Sequence, residues 1–295
     1  MRELARRGVL IKVATRIPES AYFLRPDGTV GQIVPVACDY TSDSIHSLVK
    51  GCDYVVNCIG ILYEKGRSKF QWAHVEIPRR IAEACAAENV AHFVHISALA
   101  CERSTSRYAK SKRAGEEAVM QAFPQATILR PSVVFGEDDS FFNMFAEMAR
   151  YLPCLPLIGG GRTKFQPVYV GDVALAVMRA LDSKDTCGKI FELGGPETVT
   201  FKEIYTILAQ ETGRTRMLVP VPMPIAKIQG FFMQMLPHPP LTPDQVESLK
   251  TDNVVTAEAL TFKDLEIAPT AMEMVLPNYL ECYRVGGRFA SRKAA

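Results

Sequence analysis

Short apolar runs alternating with helix-spaced stretches constrain this chain more than any other feature. The runs "VLIKVAT" (9–15), "GQIVPVA" (31–37), "DYVVNCIG" (53–60), "AHFVHIS" (91–97) and "ATILRPSVVFG" (126–136) read as strands. Helical patterns over 70–89 and 106–122 lie between the later ones. Strands apolar on both faces need cover on both faces. The alternation supplies it, which predicts an α/β fold with a doubly wound parallel sheet. In such sheets ligands bind beyond the C-terminal strand ends, where Asp39, the stretch Asn57 to Gly60, Ser97 and Pro131 fall.

The last third is less regular. "FQPVYVGDVALAVMRALD" reads as a strand and then a helix that Asp172 is placed to cap, and "GKIFELGG" as a further strand. Thr200 with Glu203 three residues on makes a capping box, and Gly213 a helix stop. A Pro- and Met-rich segment follows, in which Ile225, Ile228, Phe231, Phe232, Met235 and Leu236 recur at helical spacing. That face suits packing inside a small lobe, or contact with a partner protein or a membrane surface. The expected division is a sheet domain over 1–193 and a small C-terminal lobe over 194–295, with 137–164 contributing to the lobe. The final "GGRFASRKAA" reads as a frayed tail.

Lys and Arg total 34 against 32 Asp and Glu, a net charge of +2, with no basic block, so nothing points to nucleic acid. The eight cysteines form no CxxC, several lie in strand-like runs, and a reducing compartment suits them. The five histidines show no metal-ligand spacing, and no metal is expected. No apolar run reaches the 18 or so residues of a membrane span, and the opening residues carry no apolar signal-peptide core.

Two features bear on chemistry. Tyr108 and Lys112 stand four apart, on one face of the expected helix. A tyrosine beside a lysine is a proton donor and acceptor when its pKa is lowered, or half of a nucleotide clamp. The second feature is at the start. A dinucleotide-binding sheet opens with a strand and a glycine-rich turn that meets pyrophosphate at a helix N-terminus. Nothing before Val9 contains that turn. "MRELARRG" reads instead as the end of the following helix, stopped at Gly8. Two readings stay open: a start at an internal Met, or a true truncation that leaves the first strand's slot empty and weakens nucleotide binding.

With these pieces placed, the sequence resembles the extended or atypical short-chain dehydrogenase/reductase superfamily, with its Rossmann-type sheet. Within it the chain is similar to the nucleotide-binding accessory subunits of respiratory complex I (NADH:ubiquinone oxidoreductase) and their bacterial homologues. The carrying segments are "VVNCIGILYE", "HFVHISALA", "SRYAKSKRAGEEAV", "LRPSVVFGEDDSFFNMFA", "FQPVYVGDVA" and "FELGGPETVTFKEI". They occur in family order and cover almost the whole chain.

The resemblance implies a nicotinamide nucleotide site. Thr15 and Arg16 follow the second strand of the fold, and an arginine there suits a 2′-phosphate, favouring NADP(H) over NAD(H). Asp39 and Tyr40 would meet adenine. Asn57, Ile59 and Gly60 replace the family's N-A-G stretch, while Cys58 is expected to pack in the strand. Tyr108 would be the catalytic-type tyrosine, with Lys112 holding the nicotinamide ribose and lowering its pKa. Pro131 and Val134 would line the nicotinamide end. The family's Ser or Thr after the fifth strand aligns with Ala98, and Ser97 stands one residue earlier. Loss of a comparable donor costs on the order of 10²–10³ in rate.

The resemblance therefore implies an accessory or assembly protein of complex I that holds its nucleotide structurally. It would be peripheral at the cytoplasmic face of a bacterial inner membrane or the matrix face of a mitochondrial one. Two alternatives share the same residues: an active NADP-dependent oxidoreductase, epimerase or dehydratase, and an NADPH-sensing regulator.

Overall fold

The computed structural model describes residues 1–287. Its first half carries α1 (Arg2–Arg6), β1 (Ile11–Thr15), β2 (Ile33–Ala37), α2 (Ser42–Val49), β3 (Tyr54–Asn57), α3 (Ile77–Ala87), β4 (His92–Ile96), α4 (Arg107–Ala122), β5 (Thr127–Pro131) and β6 (Val134–Phe135). The second half carries α5 (Phe142–Tyr151), β7 (Cys154–Ile158), β8 (Lys164–Phe165), β9 (Val168–Tyr169), α6 (Val170–Asp182), β10 (Ile190–Leu193) and β11 (Val199–Thr200). It ends with α7 (Phe201–Thr212), β12 (Met217–Val221), α8 (Met223–Met233), α9 (Pro243–Ser248) and α10 (Met272–Leu280). Residues 288–295, most of the expected tail, lie outside the described residues.

The chain divides into two compact units that alternate along the sequence. The first comprises Met1–Ser97, Ser111–Leu129 and Ala174–Ile190, and the second Ala98–Lys110, Arg130–Val173 and Phe191 onward.

In the first unit every expected strand forms. β3, β4 and the Thr127–Leu129 part of β5 pair in parallel. β1 and β2 pair in parallel as a separate two-stranded sheet. α2, α3 and α4 bury Ile45, Val49, Ile77, Ile81, Cys85 and Val119 with Phe93 from β4. A smaller cluster of Ala5, Ile11 and Ile33 packs α1 onto β1 and β2. Gly8, just past α1, takes the left-handed conformation expected of a stop, with φ 74°.

The helix expected over 70–89 is a π-helical turn, Gln71–Glu76, running into α3. Pro78 accounts for the change: it has no N–H to give the carbonyl four residues back, that of His74. α4 comes close to that carbonyl. A Cβ on Gly115 would lie 1.9 Å from His74 O, so only a glycine lets the two helices approach this closely.

The second unit is built on aromatic residues. Phe142, Phe145, Phe201, Tyr205, Leu208, Met272 and Leu276 form one core, with Phe145 and Phe201 both about one ring-width from Tyr205, at 5.2 and 5.1 Å. The run over 126–136 forms two strands rather than one, because β6 leaves the sheet to pair with β9. The capping box at Thr200 and Glu203 forms, and Gly213 ends α7 at φ 67°. Asp139 caps α5, accepting from the N–H groups of Phe142 (2.6 Å) and Asn143 (3.3 Å). Asp172 departs from expectation: it lies inside the first turn of α6 and accepts from Thr270 N–H and Oγ1. A partner 98 residues away outcompetes the local cap.

Candidate functional site

At the C-terminal ends of β1 and β2, Thr15 is half-buried and Arg16 exposed. Asp39 Oδ1 accepts from Thr41 N–H and Oγ1, bonds that hold its carboxyl below the usual range. Tyr40 is a non-glycine residue in the left-handed region, φ 62°. Three contacts account for its retention there. Its phenol donates to Ala14 O (3.3 Å), its own carbonyl accepts from Arg80 Nη1 (3.2 Å), and the Arg80 guanidinium lies 4.7 Å from the Trp72 ring. Burial raises the Tyr40 pKa, and the Arg16 charge acts against that rise. The structure thus brings Arg16, Asp39 and Tyr40 to one end of the β1–β2 pair.

A second cluster forms where β3 and β4 end. Ile59 N–H donates to Asn57 Oδ1 (3.0 Å), which fixes the amide so that Nδ2 donates to His95 Nδ1 (2.9 Å). The proton of the neutral His95 ring is then on Nε2. In the same way Ile61 N–H donates to His74 Nε2 (3.0 Å), leaving Nδ1–H to donate to Ser111 Oγ (2.8 Å). Lys112 is buried, 5% exposed, and its Nζ donates to Ile96 O at 3.0 Å. Both imidazoles are held neutral. Burial first, then the Lys112 charge, pushes His74 down to about 4 and His95 down to about 3.

The cluster has open capacity. Among the described residues, His95 Nε2 and Ser97 Oγ are buried without a hydrogen-bond partner, and Ser97 follows the residue whose carbonyl Lys112 holds. Gly60 keeps the approach to Lys112 clear: a methyl there would sit 3.5 Å from Nζ and 3.8 Å from His74 Nε2. A buried ammonium, an unpaired hydroxyl and an unpaired imidazole N–H are donors suited to a ribose or another hydroxyl-bearing ligand. Lys112 and Gly60 could hold the ribose of a dinucleotide, whose nicotinamide would supply hydride chemistry, while the Asn57 amide is already engaged by Ile59 and His95. Cys58 corrects an expectation: it lies one residue past β3 and is exposed.

Tyr108, Pro131 and Val134 belong to the second unit. Tyr108 is the second residue of α4, and its phenol is pushed up to about 12, by burial first and by Cys101 next. That is opposite to the lowering expected of a proton-transfer tyrosine. The N–H groups of Arg107 and Tyr108 donate to the Asp244 carboxylate at 2.7 and 3.0 Å. Pro131 ends β5 and accepts from Leu99 N–H, while Val134 starts β6. Ala98 is half-buried, and Ala100 two residues on is left-handed, φ 61°.

Sequence reasoning missed His74, His95, Ser111 and Asp244. A signal existed for His74: Phe70, His74, Ile77 and Ile81 are buried at helical spacing, so the histidine sits inside an apolar stripe.

The sequence profile of the NAD dependent epimerase/dehydratase family matches residues 1–194. The chain is 36% identical over 301 aligned residues to NADH dehydrogenase [ubiquinone] 1 alpha subcomplex subunit 9, mitochondrial, of Arabidopsis thaliana. That match covers 97% of this chain and 75% of the relative. It is 34% identical to the NADH-ubiquinone oxidoreductase 40 kDa subunit, mitochondrial, of Neurospora crassa, covering 95% of this chain and 75% of that one. Its fold is similar to that of the NADPH-dependent quinone oxidoreductase QOR2 from Escherichia coli, solved with NADPH. There the TM-score is 0.72 at 18% identity, over 94% of this chain and 93% of the other. The chain belongs to the NAD dependent epimerase/dehydratase family, and its homologues within that family include subunits of mitochondrial NADH dehydrogenase.

Proposed function

We propose that this protein is an accessory or assembly subunit of respiratory complex I that holds a nicotinamide nucleotide as a structural group, NADP(H) in preference to NAD(H). The observation that carries this reading is the similarity of 95–97% of this chain to NADH dehydrogenase subunits, and the Tyr108 phenol, pushed up by burial, supports a structural use of the nucleotide. A tyrosine that reluctant to ionise is a poor proton acceptor near neutral pH. Ala98 at the expected hydroxyl position supports the same reading. Arg16 supports the preference for a 2′-phosphate, and Lys112, Gly60 and Ser97 support a ribose beside them. The place of action is the matrix face of the mitochondrial inner membrane, or the cytoplasmic face in a bacterium.

A second reading has one observation in its favour. The buried Ser97 Oγ has no hydrogen-bond partner, a spare hydroxyl of the kind an active NADP-dependent reductase, epimerase or dehydratase needs once a substrate reaches it.

The test is to purify the protein from cells, release its small molecules with acid or base, and identify them beside the co-purifying proteins. NADP(H) at close to one per chain, with NADH dehydrogenase subunits and no turnover of carbonyl substrates, is the expected result. Rapid NADPH oxidation with a defined carbonyl would replace the structural reading with the enzymatic one. Arg16→Glu should move the preference toward NAD(H) by about tenfold or more, the scale of one charge-assisted phosphate contact.

A further inference from the structure

Past Asn57 the chain leaves β3 and runs without regular structure to Ile61. Side chains, not a ladder, hold this loop. Ile59 N–H donates to Asn57 Oδ1, and Ile61 N–H to His74 Nε2 at 3.0 Å. The same ring reaches α4 on its other side, where Nδ1 and Ser111 Oγ lie 2.8 Å apart. Ser111 directly precedes Lys112, whose Nζ donates to Ile96 O. His74 thus ties the loop that carries Gly60 to the helix turn that carries Lys112. All of these residues lie in the first unit.

The ring has little freedom to do otherwise. His74 is 1% exposed and stacked on Phe70, with ring centroids 5.2 Å apart and planes 22° from parallel. Its backbone is set by the π-helical turn Gln71–Glu76 and by Gly115, whose missing Cβ admits the His74 carbonyl. Gly115 lies four residues beyond Ser111, so α4 meets His74 at two points on one face, the ring at Ser111 and the carbonyl at Gly115. What this arrangement fixes is a gap. A methyl on Gly60 would lie 3.5 Å from Lys112 Nζ and 3.8 Å from His74 Nε2, so the loop backbone, the ammonium and the imidazole close on one small volume. We infer that His74 is a positioning residue of the nucleotide site, a role that stands on the nucleotide reading proposed above. Without touching the nucleotide, it holds the backbone of Gly60 and Ile61 at the distance from Lys112 that the nicotinamide-side ribose requires. An aliphatic side chain in its place would take the acceptor from Ile61 N–H and the donor from Ser111 Oγ, and would leave the loop free to drift.

Equilibrium binding of NADPH and of adenosine 2′,5′-bisphosphate to the full chain tests it. The bisphosphate has the adenine end and the 2′-phosphate but lacks the ribose that would meet Lys112. His74→Leu is expected to weaken NADPH about tenfold or more, the scale of two lost hydrogen bonds, and to leave the bisphosphate within about twofold. His74→Gln, whose amide offers an acceptor to Ile61 and a donor to Ser111, should recover most of the loss. Ser111→Ala cuts the link on the α4 side without altering the π-helical turn and should weaken NADPH about threefold. Exchange of the Ile61 amide, measured without nucleotide, should quicken in His74→Leu and recover in His74→Gln. A histidine that merely supports the fold would, when replaced, lower the thermal midpoint and weaken both ligands alike. That result would overturn the inference. So would an unchanged NADPH affinity in His74→Leu or Ser111→Ala, a glutamine variant no better than the leucine one, or an Ile61 amide indifferent to residue 74. A parent chain that binds neither ligand would sink the nucleotide reading itself, and the role of His74 with it.

Discussion

His74 and His95 are buried neutral, and that carries a pH cost. Each has a folded pKa below its unfolded value of about 6.5. The unfolded chain therefore binds more protons below that value. Stability is complete above pH 6.5 and falls as pH drops, through about 4 for His74 and about 3 for His95. The shift of His74 corresponds to roughly 3 kcal/mol in full, of which about 2 is lost between pH 6.5 and 5. Denaturant unfolding at pH 7 and pH 5 should show this loss, with a smaller pH difference in His74→Asn. An equal pH dependence in parent and variant would mean that His74 does not titrate on unfolding. Gly115→Ala is a second residue-scale test. Its new methyl would collide with the His74 backbone carbonyl, so a destabilisation of about 2–3 kcal/mol or more is expected from calorimetry. Neither effect was legible in the sequence. A histidine's burial and a glycine's clearance are set by what the fold brings opposite them. Arg16, Asp39 and Asn57 were legible, because strand ends mark themselves.

At the scale of elements, local caps were readable and distant ones were not. Thr200 and Glu203 are three residues apart, so the motif is complete in the sequence. α4 has a local cap, Ser106 Oγ accepting from Ala109 N–H at 3.2 Å, and a distant one, Asp244, 136 residues beyond Tyr108. This carboxylate takes the N–H groups of Arg107 and Tyr108, where the helix dipole also favours negative charge. The neighbouring Glu247 of α9 accepts from Thr105 Oγ1 at 2.9 Å and pairs with Lys227 of α8 and with Lys250, which hold its carboxyl down to about 2. α9 is therefore a bracket between α8 and the start of α4. Asp244→Ala should cost roughly 1–2 kcal/mol and speed hydrogen exchange at Arg107 and Tyr108 before other α4 amides, with Asp244→Asn intermediate. Unchanged exchange at those two amides would show that solvent caps α4 equally well.

For the whole molecule, alternation of apolar runs and helices was enough to predict the α/β class and the parallel pairing. It did not reveal that the parallel strands form two sheets, since adjacency between strands distant in sequence leaves no periodic trace. It also did not reveal the π-helical turn, although Pro78 carries its cause. The β1–β2 pair is backed by the small cluster of Ala5, Ile11 and Ile33, whereas β3, β4 and β5 are backed by the larger core around Phe93. Amides of β1 and β2 should exchange about tenfold or more faster than those of β4 and β5. Equal protection would place both sheets in one cooperative unit.

The two edges of the β1–β2 sheet are not equivalent. Ile11 N–H donates to Gln32 O and Cys38 N–H to Thr15 O. Even-numbered residues of β2 therefore face β1, and odd-numbered ones turn their backbone outward. Pro35 is odd, so its missing N–H falls on the outer edge, where it spoils the row of donors another chain would need. β1 and β3 carry no proline. Strand recruitment in this molecule is consequently one-sided. A peptide competing for strand pairing finds the β2 border closed and the borders of β1 and β3 receptive, and β-rich self-association at high concentration should begin there.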